Sequence, residues 1–128
     1  MVQRVKDIMN KDITIVDGLT KVSEALQIMK DKHIYTVLIK PRNEDDVYGI
    51  LTLRDIARRV IAPVRRMEEV HVYEIMSKPV LTVSPNMPVS YAARFLTNFN
   101  KSWAPVLEND QVVGMISLSG IVLNQEEF

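Results

Sequence analysis

Gly49-Ile50-Leu51-Thr52-Leu53-Arg54-Asp55 is the stretch of this 128-residue sequence best equipped for chemistry. Its apolar, glycine-led start reads as a strand that gives way to a helix near Leu53, which sets Thr52 and Asp55 at the junction. Unpaired backbone N–H groups and the positive end of a helix dipole favour an anion at such a junction, a phosphate among them. Asp55, a turn further on, offers two carboxylate oxygens able to accept both hydroxyls of a ribose, which no neutral side chain of that length does as well. The same aspartate would serve the helix alone: an acidic group in the first turn is worth about 0.3–1 kcal/mol, and pairing with Arg58 or Arg59 adds a few tenths.

Other conspicuous residues read more simply. His33 and His71 have no carboxylate or histidine at ligand spacing, and the sequence has no cysteine, so no metal site is expected. Glu44-Asp45-Asp46 reads as a solvated acidic turn, since a calcium loop needs alternating ligands and a glycine. Trp103 opens an apolar run where it packs against neighbours, and methionines such as Met29 fill gaps on apolar faces. Arg54, Arg58, Arg59, Arg65 and Arg66 form the main basic cluster, a small face for a phosphate tail or an acidic partner, or simply a solvated helix surface. No activated nucleophile, contrasting carboxylate pair, P-loop or dinucleotide fingerprint is present, so the reading is of a non-enzyme without a catalytic cofactor.

Composition narrows the classes further. With 47% hydrophobic and 25% charged residues the chain is globular, and its 16 basic and 16 acidic residues cancel. No global field attracts nucleic acid, and no aromatics interleave the arginines, which argues against that partner. No apolar run approaches the roughly 18 residues of a membrane span, and the amino terminus has no signal-peptide core, so a cytoplasmic protein is expected.

The elements that must position these residues occur twice. Val5, Ile8, Met9, Lys11, Val16, Val22, Ser23 and Ala25 recur 67 positions later as Val72, Ile75, Met76, Lys78, Val83, Val89, Ser90 and Ala92. After a two-residue deletion in a turn, Val47, Gly49, Leu53 and Ile56 recur as Val112, Gly114, Leu118 and Ile121. In each half a short strand (Ile13 to Val16; Val80 to Val83) precedes a helix with apolar residues at i, i+3, i+4 and i+7: Val22, Ala25, Leu26, Met29, then Val89, Ala92, Ala93, Leu96. Thr20 is the expected cap of the first helix, and Pro88 fits the first turn of the second. Hairpins follow, Tyr35 to Ile39 with Val47 to Leu53 and Trp103 to Leu107 with Val112 to Leu118, and a helix closes each half. Halves of about 60 residues are marginal alone and are expected to pack on each other as one unit.

A tandem pair of such halves resembles the cystathionine-β-synthase (CBS) domain pair, or Bateman module. The likeness rests on Ile8-Met9 and Ile75-Met76 before each first strand, on Ala104-Pro105-Val106, and on the segments Gly49 to Asp55 and Gly114 to Gly120; it spans nearly the whole chain. It implies an α+β (α/β) fold of two βαββα-type repeats packed with pseudo-two-fold symmetry: residues 1–62 and 71–128, joined by a linker at 63–70.

In such modules the threonine and aspartate of the glycine-led segment hold an adenosine-containing ligand, which implies Asp55 on the ribose and Thr52 near ribose or phosphate. The family's cleft lies across the repeats. Ile50, Thr52 and Asp55 are therefore expected to face Pro79 and Val80, with Lys101 and Ser102 at the mouth, Val80 supporting adenine and Lys101 neutralising a phosphate. The second copy departs from the pattern, since Ser117 replaces the threonine and Gly120 the aspartate. Losing one charge-assisted contact removes about 1.5–3 kcal/mol, so one competent site is expected beside a degenerate cleft of Ile13, Tyr35, Met115 and Ser117.

The resemblance thus implies a regulatory module that senses AMP, ADP, ATP or S-adenosylmethionine and signals through conformation or assembly to an effector protein elsewhere. The alternative is a structural or interaction module with a decayed site. Self-association into a homodimer, through exposed faces of the helices beginning near Leu53 and Leu118, is expected in either case.

Overall fold

The repeated spacing becomes a repeated order of elements. The first set is α1 (Val5–Ile8), β1 (Ile15–Val16), α2 (Val22–Lys32), β2 (Thr36–Ile39), β3 (Gly49–Thr52) and α3 (Leu53–Ile56), which runs on as a π-helical turn, Ala57–Ile61. Two 3-10 turns, Met67–Glu69 and Val72–Glu74, lead to α4 (Val89–Asn98), β4 (Trp103–Glu108), β5 (Gln111–Ser117) and α5 (Leu118–Leu123). The computed structural model describes residues 2–78 and 81–125. Its mixed α+β architecture in tandem repeats is the one the sequence implies. Among the described residues, no helix is long and apolar enough to cross a membrane.

The compact units and the sequence repeats are different divisions of the chain. One unit is Thr14–Val80; the other joins Met1–Ile13 to Leu81–Phe128. Each has its own core. In the first, Val22, Ala25 and Met29 of α2 pack with Val37, Ile39, Leu51 and Ile56, and with Val72 and Ile75 from the lead of the second repeat. In the other, Val89, Ala92 and Leu96 of α4 pack with Ala104, Val106 and Ile116, and with Val5 from the lead of the first repeat. Thus the apolar pairs Val5/Val72 and Ile8/Ile75 mark segments that trade places, each completing a core too small to close alone. The expected linker is also built in: Val70 is buried, and its carbonyl accepts the Val22 N–H at 2.8 Å.

Local chemistry explains the bounds. Lys21, not Thr20, is the N-cap of α2, because the Thr20 carbonyl is taken by the Val72 N–H at 2.8 Å. Both long helices end on a left-handed residue at the same repeat position, His33 (φ 55°) and Asn100 (φ 54°). The following N–H groups, of Ile34 and Lys101, close back on the Met29 and Leu96 carbonyls in the Schellman manner.

The sheets differ for one physical reason. In the first unit β1 lies parallel to β2, and β2 antiparallel to β3 from Thr36↔Thr52 to Ile39↔Gly49. The Leu38 N–H supplies one rung, to the Thr14 carbonyl at 2.9 Å. The residue that recurs at Leu38's place is Pro105, which has no N–H to give. The expected strand from Val80 to Val83 is accordingly reduced, among the described residues, to one parallel bridge between Val83 and Val106 beside the antiparallel pair β4–β5. Along β3, Gly49 and Leu51 are buried while Ile50 and Thr52 turn to the other face. That alternation places Thr52 and, through it, Asp55.

Candidate functional site

Thr52 ends β3 in an extended conformation (φ −117°, ψ 166°) and caps α3 reciprocally with Asp55. The Thr52 hydroxyl oxygen accepts the Asp55 N–H at 3.2 Å. In return Asp55 Oδ2 accepts the Thr52 N–H at 2.9 Å and the Thr52 hydroxyl at 3.0 Å. This is the capping box that the S/T-x-x-E/Q pattern forms, here with aspartate. Asp55 is 8% exposed and is the one buried charged residue among those described.

The two carboxylate oxygens are not equivalent. Oδ2 is filled by Thr52, whereas among the described residues Oδ1 receives only the Ser77 hydroxyl, at 3.5 Å. Such a bond is at the limit of useful length. Among the described residues no cation pairs with Asp55. A covered carboxylate is costly to keep unless its lone pairs are met. Against the expectation of two oxygens offered to a diol, Oδ2 carries two bonds from Thr52 and Oδ1 one long bond from Ser77 among the described residues.

Ser77 was not singled out in the sequence, because nothing in local spacing links it to Asp55, 22 positions earlier. It exchanges both backbone hydrogen bonds with Ile50, donating to the Ile50 carbonyl at 2.9 Å and accepting its N–H at 3.2 Å. The only sequence signal was the repeat. Asn10 and Met115 occupy the matching positions and exchange the same two bonds, each 2.8 Å.

Ile50, Thr52 and Asp55 therefore come together within one unit. Pro79 and Val80 lie outside the described residues. Lys101 and Ser102 belong to the other unit, directly before β4; the Lys101 side chain is exposed, and the Ser102 carbonyl accepts the Leu118 N–H at 3.0 Å. Of the second group, Ile13, Met115 and Ser117 share that other unit, while Tyr35 is an exposed residue of the first. Ser117 caps α5 as Thr52 caps α3, accepting the Gly120 N–H at 2.9 Å, and its hydroxyl meets Ser119 at 3.2 Å. No carboxylate answers it at position 120.

The acidic turn is not uniformly solvated. Asp46 is drawn in: Lys78 Nζ lies 2.7 Å from each of its oxygens, and the Arg42 N–H donates to Oδ2 at 2.8 Å. The Arg42 backbone N–H and then the Lys78 ammonium hold its carboxyl well below the usual carboxylate range. Within the arginine cluster, Arg65 pairs with Glu74 at 3.1 Å and Arg66 with Glu68 at 2.8 Å, leaving Arg54, Arg58 and Arg59 exposed. The His71 N–H, donating at 2.7 Å, and then Arg65 keep the Glu74 carboxyl low. Among the described residues no three His, Cys, Asp or Glu side chains gather as a metal site.

Comparison with known proteins bears on the family and the fold. The family model for the CBS domain matches residues 5–62 and 72–126. The CBS domain-containing protein YhcV of Bacillus subtilis is 30% identical over 122 residues, covering 94% of this chain and 84% of that protein. A homoserine O-acetyltransferase of Methanohalobium evestigatum is 33% identical over 126 residues, yet the chain spans only 24% of its length. Among solved structures, the hexameric CBS-CP12 protein from bloom-forming cyanobacteria superposes with a TM-score of 0.93 at 34% identity, over 98% of this chain and 74% of that one. The CBS domain pair of protein MJ0100, in complex with 5-methylthioadenosine and S-adenosyl-L-methionine, superposes with a TM-score of 0.82 at 26% identity, over 96% of this chain and 95% of that one. With a match in each repeat, and with the glycine-led strand β3 running into the Thr52–Asp55 cap, the chain belongs to the CBS domain family, as a tandem pair of CBS domains.

Proposed function

We propose that the chain is a regulatory module that binds an adenosine-containing ligand, AMP, ADP, ATP or S-adenosylmethionine, through a ribose hydroxyl on Asp55. The observation that carries this reading is the covered carboxylate whose Oδ1 holds, among the described residues, only one long bond, in one repeat and not the other. A hydroxyl donated to that oxygen would be charge-assisted and short, which repays the burial of the acid. Rotation of the Thr52 hydroxyl would free one acceptor position on Oδ2 for the neighbouring hydroxyl, the Thr52 N–H keeping the other. Ile50, half-buried beside Thr52, gives the ligand an apolar contact. The MJ0100 domain pair, bound to two adenosyl compounds, supports the ligand class. No step of bond making or breaking is assigned to these residues.

Titration calorimetry with AMP, ATP and S-adenosylmethionine, on the wild type and on Asp55→Ala, tests the reading. Saturable binding near one ligand per chain that weakens by about tenfold or more in the variant is the expected result. No heat with any of them, from a folded protein, would overturn it.

A second reading has its own observation. The Thr52–Asp55 box is complete without a ligand, so Asp55 also suffices as a cap, and the closing helices expose Leu53, Ile61, Val122 and Leu123. In that reading the module is an interaction scaffold that self-associates through these helices, and folded protein that gives no heat with the three ligands favours it.

A further inference from the structure

The hairpin of the first repeat does something that its counterpart does not. β4 and β5 are joined by the tight pair Asn109-Asp110, both at positive φ (53° and 63°), as a two-residue type I′ turn requires. Between β2 and β3 the loop runs through residues 40–48 and carries Asp46. The Asp46 and Lys78 side chains are 10% and 21% exposed, so their ion pair is largely covered. Arg42 Nε completes the cluster at 3.2 Å.

Lys78 directly follows Ser77. The segment is held on β3 by the two Ser77–Ile50 bonds, and the chain bends at Lys78 directly after them. Ser77 reaches Asp55 while Lys78 reaches the loop. One side of the segment bears on the carboxylate, and the other is anchored by Asp46. In the other unit Asn10 and Lys11 occupy the places of Ser77 and Lys78, and among the described residues Lys11 makes no ion pair, with Asp110 of the shortened turn or with any other acid. Gly120 stands there for Asp55. Anchor and carboxylate are thus present together in one unit and missing together in the other.

We propose that Asp46 and Lys78 are positioning residues of the Asp55 site: their ion pair fixes the Ser77 hydroxyl against Asp55 Oδ1 and so sets how tightly that oxygen takes a ligand hydroxyl. The inference rests on the reading of Asp55 as a ligand acceptor. A hydroxyl arriving at Oδ1 meets Ser77 there. A fixed Ser77 adds an ordered polar partner, whereas a loose one must be ordered at the expense of affinity.

Two measurements on the full chain decide it, for Asp46→Asn, Lys78→Met and the charge-exchanged double variant with Asp46→Lys and Lys78→Asp. In ligand-free protein, the amides of Ser77 and Ile50 are expected to exchange about tenfold faster in each single variant and to recover in the double one, with the Asn10 and Met115 amides unchanged. In titrations with AMP and with S-adenosylmethionine, affinity for whichever probe binds is expected to fall about three- to tenfold in each single variant and to recover on charge exchange. Single variants that exchange and bind like the wild type overturn the proposal, as does faster exchange spread equally over Asn10 and Met115. Neither probe binding to the wild type overturns the ligand reading instead, and exchange alone then decides whether the ion pair holds Ser77.

Discussion

Gly49 lies under the thioether of Met76, so closely that a Cβ on the glycine would sit 2.5 Å from the sulfur and 3.2 Å from Cγ. The same relationship joins Gly114 to Met9, with the sulfur 2.8 Å from the added atom. Two glycines and two methionines that recur in the sequence are therefore one device: a lead segment crosses β3 at Gly49 and the other crosses β5 at Gly114, the barest residue of each. At Gly114 the added atom would also meet the Asn10 carbonyl oxygen at 3.0 Å, and that oxygen is held by the Met115 N–H. A methionine end can swing aside, but a hydrogen-bonded carbonyl cannot. Gly114→Ala is therefore expected to destabilise by about 2–3 kcal/mol and Gly49→Ala by about 1 kcal/mol, the order being read from urea midpoints.

The two caps should differ in the same way. Thr52→Ala removes the acceptor of the Asp55 N–H and the hydroxyl donor to Oδ2 together, and is expected to cost about 1–2 kcal/mol. Ser117→Ala removes one accepted bond, from Gly120, and is expected to cost about 0.5–1 kcal/mol. Thermal denaturation of the two variants, compared at one pH, checks the ranking.

Acid should reveal the Asp46 pair. Because folding depresses this carboxyl, its contribution is complete above the unfolded carboxylate range and is lost as pH falls through the lower folded value. The wild type is thus expected to exceed Asp46→Asn in stability near neutrality. The difference should shrink steadily below about pH 4 as the unfolded carboxyl takes up its proton. Urea titrations of both proteins between neutral and acid pH measure it, and a constant difference would exclude the ion pair as its cause.

Self-association should depend on α5. Val122 and Leu123 are 67% and 82% exposed, so replacing both with lysine removes little packing within the chain. Sedimentation equilibrium is expected to show an assembly for the wild type and a monomer for Val122→Lys/Leu123→Lys, with unchanged circular dichroism. A wild-type monomer would remove α5 as a contact surface.

How much of this was legible without coordinates follows from range. The stripes of α2 and α4, the start of α3 at Leu53, the tight second hairpin and the missing acid at Gly120 all depend on residues within a turn or two of each other, where periodicity and cap chemistry operate. These the sequence determined by itself, together with the duplication. Only the tertiary structure decided that Val5 and Val72 complete each other's cores, because a repeat states that two segments are alike and not which partner each one covers. It also decided the state of Asp55. The Ser77 hydroxyl and the Lys78–Asp46 pair come from 22 and 32 positions away, and such contacts arise when segments are brought together by the burial of Val72 and Ile75, which no local spacing records.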